Sequence, residues 1–249
     1  MIPKNHPRYE SLILREKIKK AHEMGYLADS GMIAHGRGEA FDYLIGEKTI
    51  ASSYEATKVA VATFILAKNP IISVNGNSLA LAIDDIIDLS KVLNGKIEIN
   101  LFYRSKERVK IIKNLFKEKG VHVLGTDDDE LLFIEEFESP RATASKDGIY
   151  AADLVLVSLE DGDRTEVLVN SGKKVIAIDL NPLSRTAQMA DITIVDNIVR
   201  TIPLMIKLAN EFKEHDEKYL KKIIANFSNE ENLKKSLDHI NLNNCYNLK

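Results

Sequence analysis

Six short apolar runs between Pro70 and Asp196 constrain this chain more than any other feature: IISV (71–74), IEINLFY (97–103), VHVL (121–124), LVLVS (154–158), VIAID (175–179) and ITIV (192–195). Short β-branched runs bounded by polar turns are the pattern of strands buried on both faces of a parallel sheet. Parallel neighbours need crossovers, and several intervals supply them, notably SLALAIDDIIDLSKVL and SKERVKIIKNLFKEK with their helical spacing of apolar residues. The pattern predicts an α/β chain with a Rossmann-like, doubly wound, mainly parallel six-stranded sheet in the order 3-2-1-4-5-6.

Helical extensions flank this core. Leu12, Leu14, Ile18 and Ala21 recur at near-helical spacing between Arg8 and Glu23, and Gly25 follows as a stop. A second helix is predicted from about Ser52 to Lys68, capped by Ser52 or Ser53 and ended ahead of Pro70. Past Asn197 come NIVRTIPLMIKLANEFK, KYLKKIIANF and a short final piece, all helical in pattern and suited to packing or subunit contact. The expectation is one domain, 1–249, made of a helical N-terminal segment (1–69), a Rossmann-like core (70–200) and C-terminal helices (201–249). The polar, acidic interval 126–153 reads as a solvated loop in preference to a metal site.

Composition narrows the function classes. With 45% apolar residues in 249, the chain can fill a sizeable core, and a formal charge of −3 gives it no whole-molecule field for nucleic acid or an anionic membrane. Cys245 is the only cysteine, which excludes an intramolecular disulfide and a thiolate metal cluster. No secretory h-region and no bilayer-length apolar run is present, so a cytoplasmic location is expected.

Ligands of an open α/β sheet bind beyond the carboxyl ends of its strands. The first strand leads into VNGNS, where Asn75, Gly76 and Asn77 can offer backbone N–H groups to an anion, or form an ordinary turn with Ser78 as N-cap. No GxGxxG stands here, and the second strand ends in Tyr103 and Arg104 without an acidic ribose partner, which counts against NAD. The last three strands open into LEDGDRTE (159–166), IDLNPLSRT (178–186) and VDNIVR (195–200). Asp179, Asn181, Arg185 and Asn197 thus fall where side chains can bond a ribose, a purine edge or phosphates, or cap the helices they precede.

The segment AHGRGEAFDYLIGEKT (34–49) stands apart. Five of the twelve glycines lie between Gly25 and Gly46, and Arg37 sits between Gly36 and Gly38, where a bending chain can bring a guanidinium to a ligand. It reads as a shaped loop followed by a short helix, with His35, Glu39 and Asp42 as candidates for chemistry or as plain structural and surface groups.

Those residues carry a resemblance. HPRYESLILREK (6–17), GMIAHGRGEAFDYLIGEKT (31–49), GDRTEVLVNSG (162–172) and IDLNPLSRTAQMADITIVDN (178–197) resemble the archaeal phosphopantothenate synthetases, the 4-phosphopantoate–beta-alanine ligases of coenzyme A biosynthesis, over most of residues 6–210. The resemblance implies a homodimer with a Rossmann-like core that uses ATP to join 4-phosphopantoate to beta-alanine through a phosphopantoyl adenylate. AMP and diphosphate would be released. It places the nucleotide contacts on Arg15, Arg37, Asp179, Leu180, Asn181, Arg185, Thr186, Asn197 and Ile198.

In such a reaction a carboxylate must approach the α-phosphate, another anion, so cationic side chains and Mg²⁺ are expected. By residue type and position, His35 and Glu39 are the candidates for the base that the amine requires. The VNGNS turn and Lys48 are the candidates for holding the 4-phosphate. No residue is assigned to a metal. An NAD-dependent transferase on a sheet like that of deoxyhypusine synthase and a non-catalytic nucleotide sensor are the alternative readings.

Overall fold

Five of the six apolar runs form one parallel sheet, and the helices cover both of its faces. The computed structural model describes residues 2–134 and 143–246, with side chains as far as Leu242, so Cys245 and part of the acidic interval, 135–142, lie outside the described side chains. Among the described residues the order is α1 (Tyr9–Glu23), α2 (Asp29–Ile45), α3 (Ala51–Leu66), β1 (Pro70–Val74), α4 (Gly76–Leu93), β2 (Lys96–Ile99) and α5 (Lys106–Glu118). There follow β3 (Leu131–Phe133), β4 (Thr143–Ser145), β5 (Leu154–Ser158), α6 (Gly162–Asn170), β6 (Lys174–Ile178), α7 (Arg185–Met189), β7 (Ile192–Ile194), α8 (Ile198–Phe212), α9 (Glu217–Ile224) and α10 (Asn229–Tyr246).

The main sheet has the order β2-β1-β5-β6-β7, every pair parallel, in registers such as Ile72 opposite Ile97 and Ile176 opposite Ile192. Side chains alternate between the faces. Ile72, Val74, Leu154, Leu156, Ile176 and Ile178 join the large core under α3, α4 and α8, whereas Ile71, Val155, Val157, Val175 and Ala177 pack with Val167 and Leu168 of α6. Burial on both sides is why these strands read as unbroken apolar runs.

Several expectations are corrected. The sheet has five strands, because VHVL contributes one parallel bridge beside β2, Glu98 to Leu124, and then turns at Gly125. Gly125 has φ +78, and a Cβ there would lie 2.4 Å from the Ile99 carbonyl oxygen. β2 ends at Ile99, so Phe102 and Tyr103 lie in an exposed turn beyond it. The interval 126–153 is not all loop: β3 and β4 pair antiparallel within it. Glu98, 1% exposed, fastens that segment to the sheet by accepting from the backbone N–H groups of Ser145 (2.9 Å) and Ile149 (2.6 Å). The last helix, α10, is 18 residues long rather than a short piece, and it packs on α2, α3 and β7.

The glycine-rich segment is helical from Ala34 to Ile45, as part of α2, and turns out of it at Gly46. Gly46, at φ +85, ends the helix as its N–H bonds the Tyr43 carbonyl and that of Glu47 bonds the Asp42 carbonyl, a Schellman pattern. The three glycines inside it each cost about 1 kcal/mol of helix propensity, which packing must offset. Gly31 shows why one is needed: a Cβ would lie 2.5 Å from Leu27 and 2.8 Å from Asn77 Oδ1. The next helix, α3, starts at Ala51 with Ile50 as N-cap, not Ser52 or Ser53. Ser53 instead donates to the Val195 carbonyl at 2.6 Å, and Ser52 lies 3.1 Å from Ser236 of α10, Oγ to Oγ.

Candidate active site

Helix α2 crosses the carboxyl edge of the sheet and separates two chambers that share Gly38, Leu159 and Leu180 in their walls. The first has a volume of about 650 Å³ and the second about 720 Å³. Leu159, where β5 leaves the sheet between them, has φ +54. A non-glycine residue held in the left-handed region stores of order 1 kcal/mol, and such strain gathers at functional sites.

The first chamber is bounded by the ends of β1, β2, β5 and β6. It brings together Arg37, Asn75, Gly76, Asn77, Asp179, Leu180, Asn181, Arg185 and Thr186. Helices α4, α6 and α7 all begin in its wall, at Gly76, Gly162 and Arg185. Their N-terminal N–H groups and dipoles favour an anion there. The VNGNS turn is built by a capping box: Asn75, not Ser78, is the N-cap, accepting from Ser78 N at 3.0 Å while Ser78 Oγ accepts from Asn75 N at 2.9 Å. Asn75 Nδ2 donates to the Ser158 carbonyl (2.8 Å), and Asn77 Nδ2 to the Gly31 carbonyl (2.8 Å), so the turn ties β1, β5 and α2 together. A Cβ at Gly76 would lie 2.9 Å from the Tyr26 carbonyl oxygen.

On the opposite wall Asp179 shapes its own loop, accepting from Asn181 N (2.9 Å) and Ser184 Oγ (2.5 Å). Burial pushes its carboxyl up, while those bonds and the nearby Arg37 act the other way. Thr186 is buried and donates to the Glu160 carbonyl at 2.9 Å. Arg185 is about half exposed and pairs with Asp163 and Glu166. Its stem passes over Gly162, where a Cβ would sit 2.6 Å from it.

The second chamber lies between α1, α2, α4 and the start of α8. It holds His35, Glu39, Asn197 and Ile198, with Leu180 in the shared wall. Its floor reaches an irregular turn of α4 at Ala82, φ −146, where Lys17 donates to the Leu81 carbonyl at 3.1 Å. Arg15 lines neither chamber and touches the second only through Glu39, donating to it from Nε (3.0 Å) and Nη2 (2.7 Å). Ser11 and Tyr43 also donate to Glu39. Burial alone would raise the Glu39 carboxyl, but the bonds from Arg15 and Ser11 hold it below the usual carboxylate range. His35 has the opposite character. Its Nε2 is buried without a hydrogen-bond partner, and burial holds the imidazole below its ordinary 6.5 against the pull of Glu39 and Asp42.

Lys48 is exposed beyond the end of α2 and lines neither chamber. Residues not picked out from the sequence complete the walls. Arg108 of α5 borders the first chamber and holds the carbonyls of Tyr26 and Tyr103. In the second, Arg200 of α8 bonds Asp42 of α2 and Asp196. Asp42 stood in the glycine-rich motif and Arg200 in VDNIVR, but a pairing 158 positions apart has no local signal.

Among the described residues no group of three or more His, Cys, Asp or Glu is placed to hold a metal ion, and no helix is long and apolar enough to cross a membrane. Comparison with known proteins matches this chain to one set of enzymes. The family described as Phosphopantothenate/pantothenate synthetase matches residues 52–243. A 4-phosphopantoate–beta-alanine ligase from Thermococcus kodakarensis is 52% identical over 241 residues, covering 96% of this chain and 92% of the relative. The protein of that name from Thermococcus onnurineus is also 52% identical, with the same coverage. That from Methanosarcina mazei is 48% identical over 240 residues, covering 96% of this chain and 94% of its own. With these relatives aligned along nearly its whole length, the chain belongs to the phosphopantothenate/pantothenate synthetase family.

Proposed function

We propose that this enzyme condenses 4-phosphopantoate with beta-alanine in coenzyme A biosynthesis, using ATP and releasing AMP and diphosphate through a phosphopantoyl adenylate. The observation that carries the reading, beside the family, is the pair of chambers meeting at Gly38 and Leu180. One has helix N-termini and arginines suited to phosphates, and the other has an uncharged imidazole.

In the first half-reaction a carboxylate oxygen of 4-phosphopantoate attacks the α-phosphorus of ATP. The bond from that phosphorus to the β-bridging oxygen breaks, and diphosphate departs with the electron pair. Arg37 on α2 and Arg185 at the start of α7 face the first chamber, where they lower the repulsion between the two anions and stabilise the charge that develops. Arg15, which lines neither chamber and is paired with Glu39, would reach the nucleotide only by leaving that pair. Among the described residues no group of three or more His, Cys, Asp or Glu is placed to hold a metal ion, so Mg²⁺ would come with the nucleotide's phosphates and water and would screen the same charge. The contacts expected from Asp179, Thr186 and Asn197 fall largely to their backbones and positions, since their side-chain oxygens or amide groups are engaged within the protein.

In the second half-reaction the nitrogen of beta-alanine attacks the acyl carbon, and the acyl–oxygen bond to AMP breaks. The amine must first lose its ammonium proton. His35 is the better base of the two candidates, because Glu39 is saturated by donors and held ionised with little proton affinity. Glu39 then serves to hold Arg15. The protein is expected to act as a cytoplasmic homodimer, which sedimentation of the purified chain would check.

The test is the product balance. ATP should yield AMP and diphosphate only in the presence of 4-phosphopantoate, and hydroxylamine in place of beta-alanine should give an acyl hydroxamate. ADP and phosphate would instead require an acyl phosphate and overturn the adenylate. Arg37→Ala should lower kcat/KM by about 100-fold or more, the loss expected of one charge-stabilising donor. Unchanged activity would remove Arg37 from the site.

A further inference from the structure

A cluster of charged and polar groups in the wall of the second chamber has side chains that the proposed chemistry does not use. Asp42, 6% exposed on α2, accepts from Asn197 Nδ2 at 2.7 Å and from Arg200 Nη2 at 2.5 Å. Arg200 also donates from Nε to Asp196 at 2.8 Å, and Asp196 accepts from Thr49 Oγ1 at 2.5 Å. Five side chains from α2, the α2–α3 turn and the β7–α8 junction thereby satisfy one another, with Asp42, Asp196 and Asn197 buried and Arg200 a quarter exposed.

Two features give this cluster a direction. The Asn197 amide has its rotamer fixed from both ends, since Oδ1 caps α8 by accepting from Val199 N (3.3 Å) while Nδ2 is held by Asp42. The start of α8, which opens into the second chamber, is therefore set by a residue on α2. Conversely, α2 has no side-chain N-cap and carries three internal glycines, so its placement depends on tertiary contacts. Asp42 lies one turn beyond Glu39 and two turns beyond His35, close to the groups that α2 presents to the chambers.

We propose that Asp42 is a positioning residue of the ligase: it latches α2 to the β7–α8 junction, so that Arg37, His35 and Glu39 are held in register with the start of α8. This rests on the ligase reading for its kinetic consequence and on the geometry alone for its structural one. A sub-ångström to 1 Å displacement of such groups costs up to about 100-fold in rate.

The experiment compares Asp42→Asn with Thr49→Val, which also removes a bond to the same cluster but leaves the α2–Asn197 link intact. At a temperature where circular dichroism shows both folded, Asp42→Asn should lower kcat about 10- to 100-fold and raise the KM for ATP, whereas Thr49→Val should keep both within about twofold. Amide hydrogen exchange across residues 29–45 should accelerate in Asp42→Asn alone. If Asp42→Asn fails to fold, Asp42→Glu keeps the charge but displaces it by a methylene, and should still lose kcat with a near-normal melting transition. Equal kinetics in the two variants, or unchanged exchange in α2, would overturn the latch. Failure of the ligase reading shows differently, as no AMP from the unmodified enzyme, and leaves the exchange comparison to decide the latch.

Discussion

At the residue scale the chemistry turns on which groups are free and which are spoken for. Glu39 and His35 are one helical turn apart and resemble each other as candidates until their partners are seen. Glu39 is filled by Arg15, Ser11 and Tyr43, while His35 Nε2 has no partner. If His35 takes the ammonium proton, His35→Gln should lose about 100-fold or more in condensation with beta-alanine. It should retain hydroxamate formation, because hydroxylamine is already neutral at pH 7. Equal losses with both nucleophiles would remove the base role. The acid limb of the beta-alanine rate should lie below the ordinary imidazole value of 6.5, since burial lowers this group. The sequence displayed both residues and the arginine between two glycines. What it could not display is a hydrogen bond between residues far apart in the chain, such as Asp42 to Asn197.

At the element scale the parallel sheet was legible because burial on both faces leaves an unbroken apolar signature, and the strand order of the five that form agrees with the expectation. The third run failed because it stops against Gly125 beside the buried Glu98, a tertiary constraint on a stretch too short to resist it. Helix α2 was read as a loop for a related reason: glycine weighs against helix locally, and only the packing on α1, α4 and α10 reverses the balance. Its glycines are therefore not equivalent. Gly36→Ala meets nothing within 4 Å and should stabilise the protein by about 0.5–1 kcal/mol. Gly31→Ala, driven into Leu27 and Asn77, should destabilise it by about 1–3 kcal/mol. Thermal melts of the two variants shifting in the same direction would contradict this account of the packing.

At the scale of the whole molecule, charges under the sheet edge set the response to pH. Burial raises the carboxyls of Glu98, Glu160, Asp179 and Asp196. A carboxyl whose folded value lies above its unfolded one destabilises the fold at neutral pH, and that cost is relieved as pH falls through the raised value. Glu39 acts in the opposite sense: its stabilisation is full above the unfolded value of about 4.5 and is lost only as pH falls through its lower folded value. The buried His35 opposes the raised carboxyls, since a base whose folded value lies below 6.5 costs stability as pH falls through 6.5. With four raised carboxyls against one imidazole, the melting temperature should hold or rise on going from pH 7 to about 5, and fall below about 4. A steady decline from pH 7 downward would show that paired carboxylates dominate instead. The wall between the chambers has a further consequence for the proposed reaction. A mixed anhydride made against Leu180 and Gly38 would already border the compartment where its nucleophile waits, so condensation would compete with hydrolysis by adjacency, and diphosphate released should match amide formed mole for mole.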